Sequence, residues 1–162
     1  MSKEIFKVDF HGVSGSIPRP LLGEEIEEKL TQAFQRARPE NLVDKNSIKS
    51  FIQGLPHEIR GTFGGNSSCV SMQVGSELLI FDAGSGIRVL GESLMKTGFN
   101  RGEGRANLFF SHTHWDHILG IPFFPPFYVE GNQFTLHSPL PDLKKRLEGQ
   151  QKPKYFPVPF SD

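Results

Sequence analysis

Three histidines and an aspartate fall within six consecutive positions, in the run His112-Thr113-His114-Trp115-Asp116-His117. In an extended chain alternate side chains leave on the same side, so His112, His114 and Asp116 share a face and His117 opens the next turn. Imidazole nitrogens and carboxylate oxygens are borderline ligands that suit Zn2+, Mn2+ or Fe2+. So many ionisable groups make a poor core and a good chelate. Metal binding is the chemistry this run can do. Upstream, Asp82 follows the apolar run Leu78-Leu79-Ile80-Phe81, where an unpaired carboxylate would be costly. Asn66 and Ser67, in a glycine-rich loop, either contact a substrate phosphate or cap a turn. Gly84-Ser85-Gly86 could cradle an anion ahead of a helix, although tight strand-to-helix packing is the favoured reading. His11 and His137 read as structural, His57 as part of a surface loop, and Trp115 as a packing wedge. The cluster from Pro122 to Tyr128 reads as core that could also wall a cleft.

Elements with the right periodicity stand around these residues. Phe6, Val8 and Phe10 alternate with polar neighbours, predicting a half-buried strand over residues 5–10. Strands are also expected at 69–74, 77–82, 108–111 and 134–137, with the apolar run at 78–81 buried on both faces. The 108–111 strand would deliver the histidine run directly to its carboxyl end. Helices are expected at 23–38, 46–53, 87–95 and 142–149. In the first of these, Ile26, Leu30, Ala33, Phe34 and Ala37 make one apolar stripe, acidic residues precede it and Pro39 ends it. Residues 97–105 read as a charged, glycine-rich loop. Strands mixed with helices predict a layered α/β domain.

Composition narrows the class further. The 162 residues fit one domain, and 36% hydrophobic residues with 17 glycines exclude a wholly disordered chain. Eighteen basic residues balance eighteen acidic ones, which disfavours a long nucleic-acid partner. A single cysteine, Cys69, excludes an intramolecular disulfide and a paired-cysteine zinc ribbon. The longest uncharged apolar stretch, 118–129, is too short to span a bilayer and holds three prolines. With no apolar leader at the N-terminus, a reduced, cytoplasmic location is expected.

The run at 112–117 resembles the HxHxDH motif of the metallo-β-lactamase-fold hydrolases. Leu79-Ile80-Phe81-Asp82-Ala83-Gly84 is similar to that family's strand ending in Asp-x-Gly. Gly64-Gly65-Asn66-Ser67-Ser68 and the turn Gly12-Val13-Ser14-Gly15-Ser16-Ile17-Pro18 resemble segments of its ribonuclease Z and cyclic-phosphodiesterase branch. The resemblance covers residues 4–20 and about 60–160, and makes 21–59 a helical insertion within a domain spanning 1–162. It implies an αββα sandwich and a metal-dependent hydrolase, a phosphodiesterase that attacks with a metal-bridging water. Two divalent ions are implied, zinc first, with manganese or iron as alternatives. His112 and His114 would hold one ion, Asp116 and His117 the other. Asp116 would accept the proton of the attacking water, and Asp82 would support the metal loop from behind the ligands. The implied substrate is a small phosphodiester or cyclic phosphate. The family also needs a further histidine, a bridging aspartate and a last histidine downstream, where this chain offers only His137, Asp142 and Asp162. The resemblance therefore implies the N-terminal half of such a domain, completed by a C-terminal half or a second chain. The alternative is a non-catalytic half-domain that serves as a metal-binding or interaction module.

Overall fold

The computed structural model describes residues 5–62 and 64–160, so Asp162 lies outside the described residues. It divides into two compact units, one of Met1–Pro18 with Asn66–Asp162 and one of Arg19–Gly65. The first unit contains strands β1 (Phe6–Gly12), β2 (Cys69–Val74), β3 (Glu77–Phe81), β4 (Arg105–Phe109) and β5 (Gln133–His137). The helices in chain order are α1 (Gly23–Arg36), α2 (Lys45–Gly54), α3 (His57–Arg60), α4 (Gly86–Leu94), α5 (Trp115–Ile118) and α6 (Leu143–Gln150), the first three in the Arg19–Gly65 unit. The class is mixed α/β.

The strands form one open sheet in sequential order. β1, β2 and β3 pair antiparallel, the latter two through the turn at Gly75. β3, β4 and β5 pair parallel, and parallel neighbours need crossover connections. α4 supplies the first crossover; α5 and two short 3-10 turns, Ile121–Phe123 and Pro125–Tyr128, supply the second. Both crossovers pack on one face. Cys69, Leu78, Ile80, Ala106 and Leu108 point to that side and join Ile87, Leu90, Phe110, Ile121 and Phe124 in the core.

Among the described residues the opposite face has no such cover, which corrects the expectation for residues 78–81. Ile80 is fully buried, but Phe81, one residue on, is 36% exposed. An unbroken apolar run therefore marks two apolar faces here, only one of them packed. The strand expected at 108–111 is displaced to Arg105–Phe109. Arg105 and Asn107 alternate outward while Ala106 and Leu108 enter the core, so the pattern of period two absorbs the charged residue. Beyond Phe110 the chain leaves the ladder because Ser111 turns its N–H to Asp82. The 97–105 loop holds a 3-10 turn, Gly98–Arg101, that buries Phe99.

In the Arg19–Gly65 unit, α1 stops at Arg36, and Ala37 and Arg38 are extended. Pro39 disfavours the helical region for the residue before it. The apolar stripe of α1 is not packed: Ile26, Leu30 and Phe34 are exposed. His57 begins a short helix rather than lying in a loop. Leu55 and Ile59 are the buried apolar residues of this unit among those described.

Candidate metal centre

The carboxyl ends of β3 and β4 lie side by side, with Phe81 paired to Phe109. Each strand then releases its chain into a loop, and the two loops meet. Asp82 sits at φ +58°, a left-handed conformation that side chains other than glycine, asparagine and aspartate seldom adopt. That backbone aims its carboxylate at the β4 loop. Ser111 donates to Asp82 Oδ1 from both its N–H and its hydroxyl, each at 2.9 Å. His117 Nδ1 lies 2.7 Å from Asp82 Oδ2. Asp82 thus holds both ends of the histidine run.

These bonds decide which ring nitrogens remain available. Asp82 accepts only, so His117 carries its proton on Nδ1, leaving the Nε2 lone pair free. The single hydroxyl proton of Ser111 goes to Asp82. Its oxygen can then accept from His112 Nδ1, 3.0 Å away, which leaves His112 Nε2 free as well. The ring of His112 lies 4.0 Å from that of His117 and 4.4 Å from that of His114 between centroids. Asp116, in the first turn of α5, places Oδ2 at 3.4 Å from His117 Nε2. The Ser16 N–H donates to the same Asp116 oxygen at 3.0 Å. That bond lowers the Asp116 pKa below the usual carboxylate range.

His112, His114, Asp116, His117 and Asp82 are therefore brought together at one edge of the sheet. Among the described residues, no three His, Cys, Asp or Glu side chains converge on a single ion position as they stand. The fit to a divalent metal rests on the donor chemistry: free Nε2 atoms on His112 and His117, each fixed through Nδ1, beside an ionised carboxylate. A histidine whose second nitrogen is held by a carboxylate is a common arrangement of metal ligands. Cys69 is not part of the donor set, since burial, with the charge of Asp82 adding, pushes its thiol up to about 12.

The other candidates fall elsewhere. Ser67 is fully buried and exchanges hydrogen bonds with Ser85, N–H to Oγ in both directions at 2.9 Å. Asn66 accepts from the Ser85 hydroxyl and donates to the His11 carbonyl. The polar atoms of both residues thus tie the 66–68 loop to the start of α4: Ser67 accepts from the N–H groups of Ser85 and Gly86, and the Ser68 carbonyl accepts from that of Gly84. His11 pairs with Ser71 at 2.8 Å, and burial lowers its pKa. His137 bonds Asn107 and stacks on Phe109. His57 Nε2 lies 2.9 Å from the Thr62 carbonyl. Trp115 is 67% exposed, not a wedge, because α5 turns it away from the core that takes Ile118. Phe124 and Pro126 are core, as the apolar cluster suggested.

Sequence reasoning assigned no role to Ser111 and Ser16. Ser111 stood next to the histidine run, but its part depends on Asp82, which is 29 positions away. Ser16 donates through its backbone, at φ +64°, and no side-chain pattern announces that. Beside the cluster, a cavity of about 330 Å3 is lined by Phe81, Phe109, His137, Asp82 and Ser111. The chain matches no model of a known protein family, no curated protein and no solved structure. No helix among the described residues is long and apolar enough to cross a membrane.

Proposed function

We propose that this chain carries half of the site of a metal-dependent hydrolase of the metallo-β-lactamase type, acting on a small phosphodiester or cyclic phosphate. The observation that carries the reading is the orientation of His117 and His112 through Asp82 and Ser111, with Asp116 alongside. His112, His114, Asp116 and His117 would hold two divalent ions, zinc first. Bound there, such ions act as Lewis acids toward a phosphoryl oxygen and make water acidic enough to attack near neutral pH. The chain's own residues supply orientation and charge. Asp82 anchors the loop, the Ser16 N–H keeps Asp116 ionised, and Asp116 accepts a proton from the attacking water. Completion of the αββα sandwich and of the ligand set falls to further sequence or to a second chain.

A second reading, an interaction module without turnover, is favoured by the uncovered apolar face of the sheet beside the cluster. Zinc titration followed by elemental analysis tests the first reading. The wild-type chain should take up zinc, and His114→Ala should lose at least one ion or bind it more than tenfold more weakly. Equal metal content in the two proteins would remove the proposal. Hydrolysis of a bis-aryl phosphodiester by the chain alone should be slow, because ions held by two protein ligands apiece exchange readily.

A further inference from the structure

We infer that Arg146 is a positioning residue of the histidine run: from α6 it fixes Thr113, and through Thr113 the imidazoles on either side. The inference rests on the metal-centre reading and adds to it the element that holds the run from behind. Asp82 and Ser16 hold the ends of the run, Asp82 through Ser111 and His117, Ser16 through Asp116. The ring of His114 makes no hydrogen bond among the described residues and meets that of His112 edge-on at 4.4 Å. Its direction is set by the backbone that carries it.

That backbone is held at Thr113. Arg146 Nη1 donates to Thr113 Oγ1 at 3.1 Å. In an extended stretch Thr113 leaves on the side opposite to His112 and His114. A bond that draws Thr113 toward α6 therefore turns both imidazoles to the other side, where the rings of His112 and His117 lie 4.0 Å apart. Arg146 is itself aimed. Its Nε donates to Asp142 Oδ1 at 2.7 Å, one helical turn earlier, and this bond holds the Asp142 carboxyl below the usual carboxylate range. A guanidinium is planar, so fixing Nε also fixes the direction of its Nη donors. The pair is 44% and 45% exposed and adds little stability; its effect is on direction. It also offsets the arginine's charge, which would otherwise repel a divalent ion nearby. Asp142 is thus committed to Arg146 rather than to a metal.

α6 grips the same segment a second time. Gln150 Nε2 donates to the Ile118 carbonyl at 2.9 Å, at the end of α5. Asp142, the N-cap of α6, Arg146 and Gln150 stand four residues apart and line one face of the helix. Leu147, fully buried, seats that helix in the core. The span from Thr113 to Ile118, which contains His114, Asp116 and His117, is tied at both ends to one rigid element.

Metal binding by the full chain tests this, with zinc in calorimetric titration and cobalt(II) in visible absorption. Zinc affinity reports the strength of the site, and the cobalt band reports the geometry of its ligands. Thr113→Val keeps the shape of the side chain and removes the oxygen. Arg146→Met keeps an apolar stem and removes the guanidinium. Each should weaken zinc binding about fivefold, below the ~10–100-fold typical of groups that hold a ligand directly, and each should shift the cobalt band. The double variant should bind as the weaker single does, since both changes break one bond. Thr113→Ser keeps the hydroxyl and should match the wild type. A merely structural role would lower the metal-free melting temperature and leave the cobalt band in place. Single variants with wild-type zinc affinity and an unmoved band overturn the inference. So does a double variant whose losses multiply, or a Thr113→Ser protein that behaves as Thr113→Val does. A wild type that takes up no zinc overturns the metal-centre reading, and this inference with it.

Discussion

Asp82 is the residue on which the cluster turns, and two separate properties of it can be tested apart. Its carboxylate accepts from Ser111 and His117, and its backbone sits at φ +58°. Asp82→Ala removes the carboxylate and keeps a side chain at a left-handed position, which costs of order 1 kcal/mol or more. Asp82→Gly removes the carboxylate and relieves that cost. Both variants should lose zinc affinity by about 10- to 100-fold in calorimetric titration, while the glycine variant should melt higher than the alanine one. Recovery of zinc binding in Asp82→Gly would show that backbone conformation, not the carboxylate, organises the ligands. The part of this site legible in the sequence was the part written in residue type: histidine and aspartate at chelating spacing, and a carboxylate placed after an apolar strand. The contributions of Ser111 and Ser16 were not legible, because a hydroxyl and a backbone N–H act only where the fold delivers them.

At the level of elements, the loop after β3, the loop before β2 and the start of α5 meet around Gly84. A Cβ there would lie 2.2 Å from the Asp116 carbonyl oxygen, 2.5 Å from Ser67 Oγ and 2.7 Å from the Ser68 carbonyl. Two of these neighbours are backbone and cannot rotate aside. Gly84→Ala should therefore destabilise the chain by about 1–3 kcal/mol and weaken zinc binding at the same time, since it pushes on the turn that carries Asp116. Gly149→Ala is the contrast. Nothing lies within 4 Å of its Cβ position, and it sits inside α6, so alanine should stabilise by up to ~1 kcal/mol. Thermal melts of the two variants should move in opposite directions; a Gly84→Ala protein that melts like the wild type would mean the three segments separate without cost. The elements themselves were largely legible from periodicity, β2 and α4 most closely. β4 was misplaced because Arg105 and Asn107 look like loop residues until Ala106 and Leu108 are seen alternating with them toward the core.

Across the whole molecule, apolar burial is distributed unevenly, and local stability should follow it. The sheet unit buries Cys69, Ile80, Ile87, Leu108, Ile121, Phe124 and Leu147 almost completely. In the Arg19–Gly65 unit, neither α1 nor α2 buries any residue, and the stripe Ile26, Leu30 and Phe34 lies exposed. The sequence could show that α1 is amphipathic, but not that its stripe would stay exposed among the described residues, because amphipathicity records a preference for burial and not its fulfilment. Helices of 14 and 10 residues are marginal in water without packing. The end contacts of α1, Leu22 N–H to Glu25 and Arg19 to Glu25, are exposed and worth little. Native-state hydrogen exchange should therefore find the amides of α1 and α2 opening well below the free energy of global unfolding, while those of β2, β3 and β4 exchange only through it. Limited proteolysis should cut first within residues 19–65 and leave the strands intact. Equal protection in both units would mean that the exposed stripe of α1 is covered in solution.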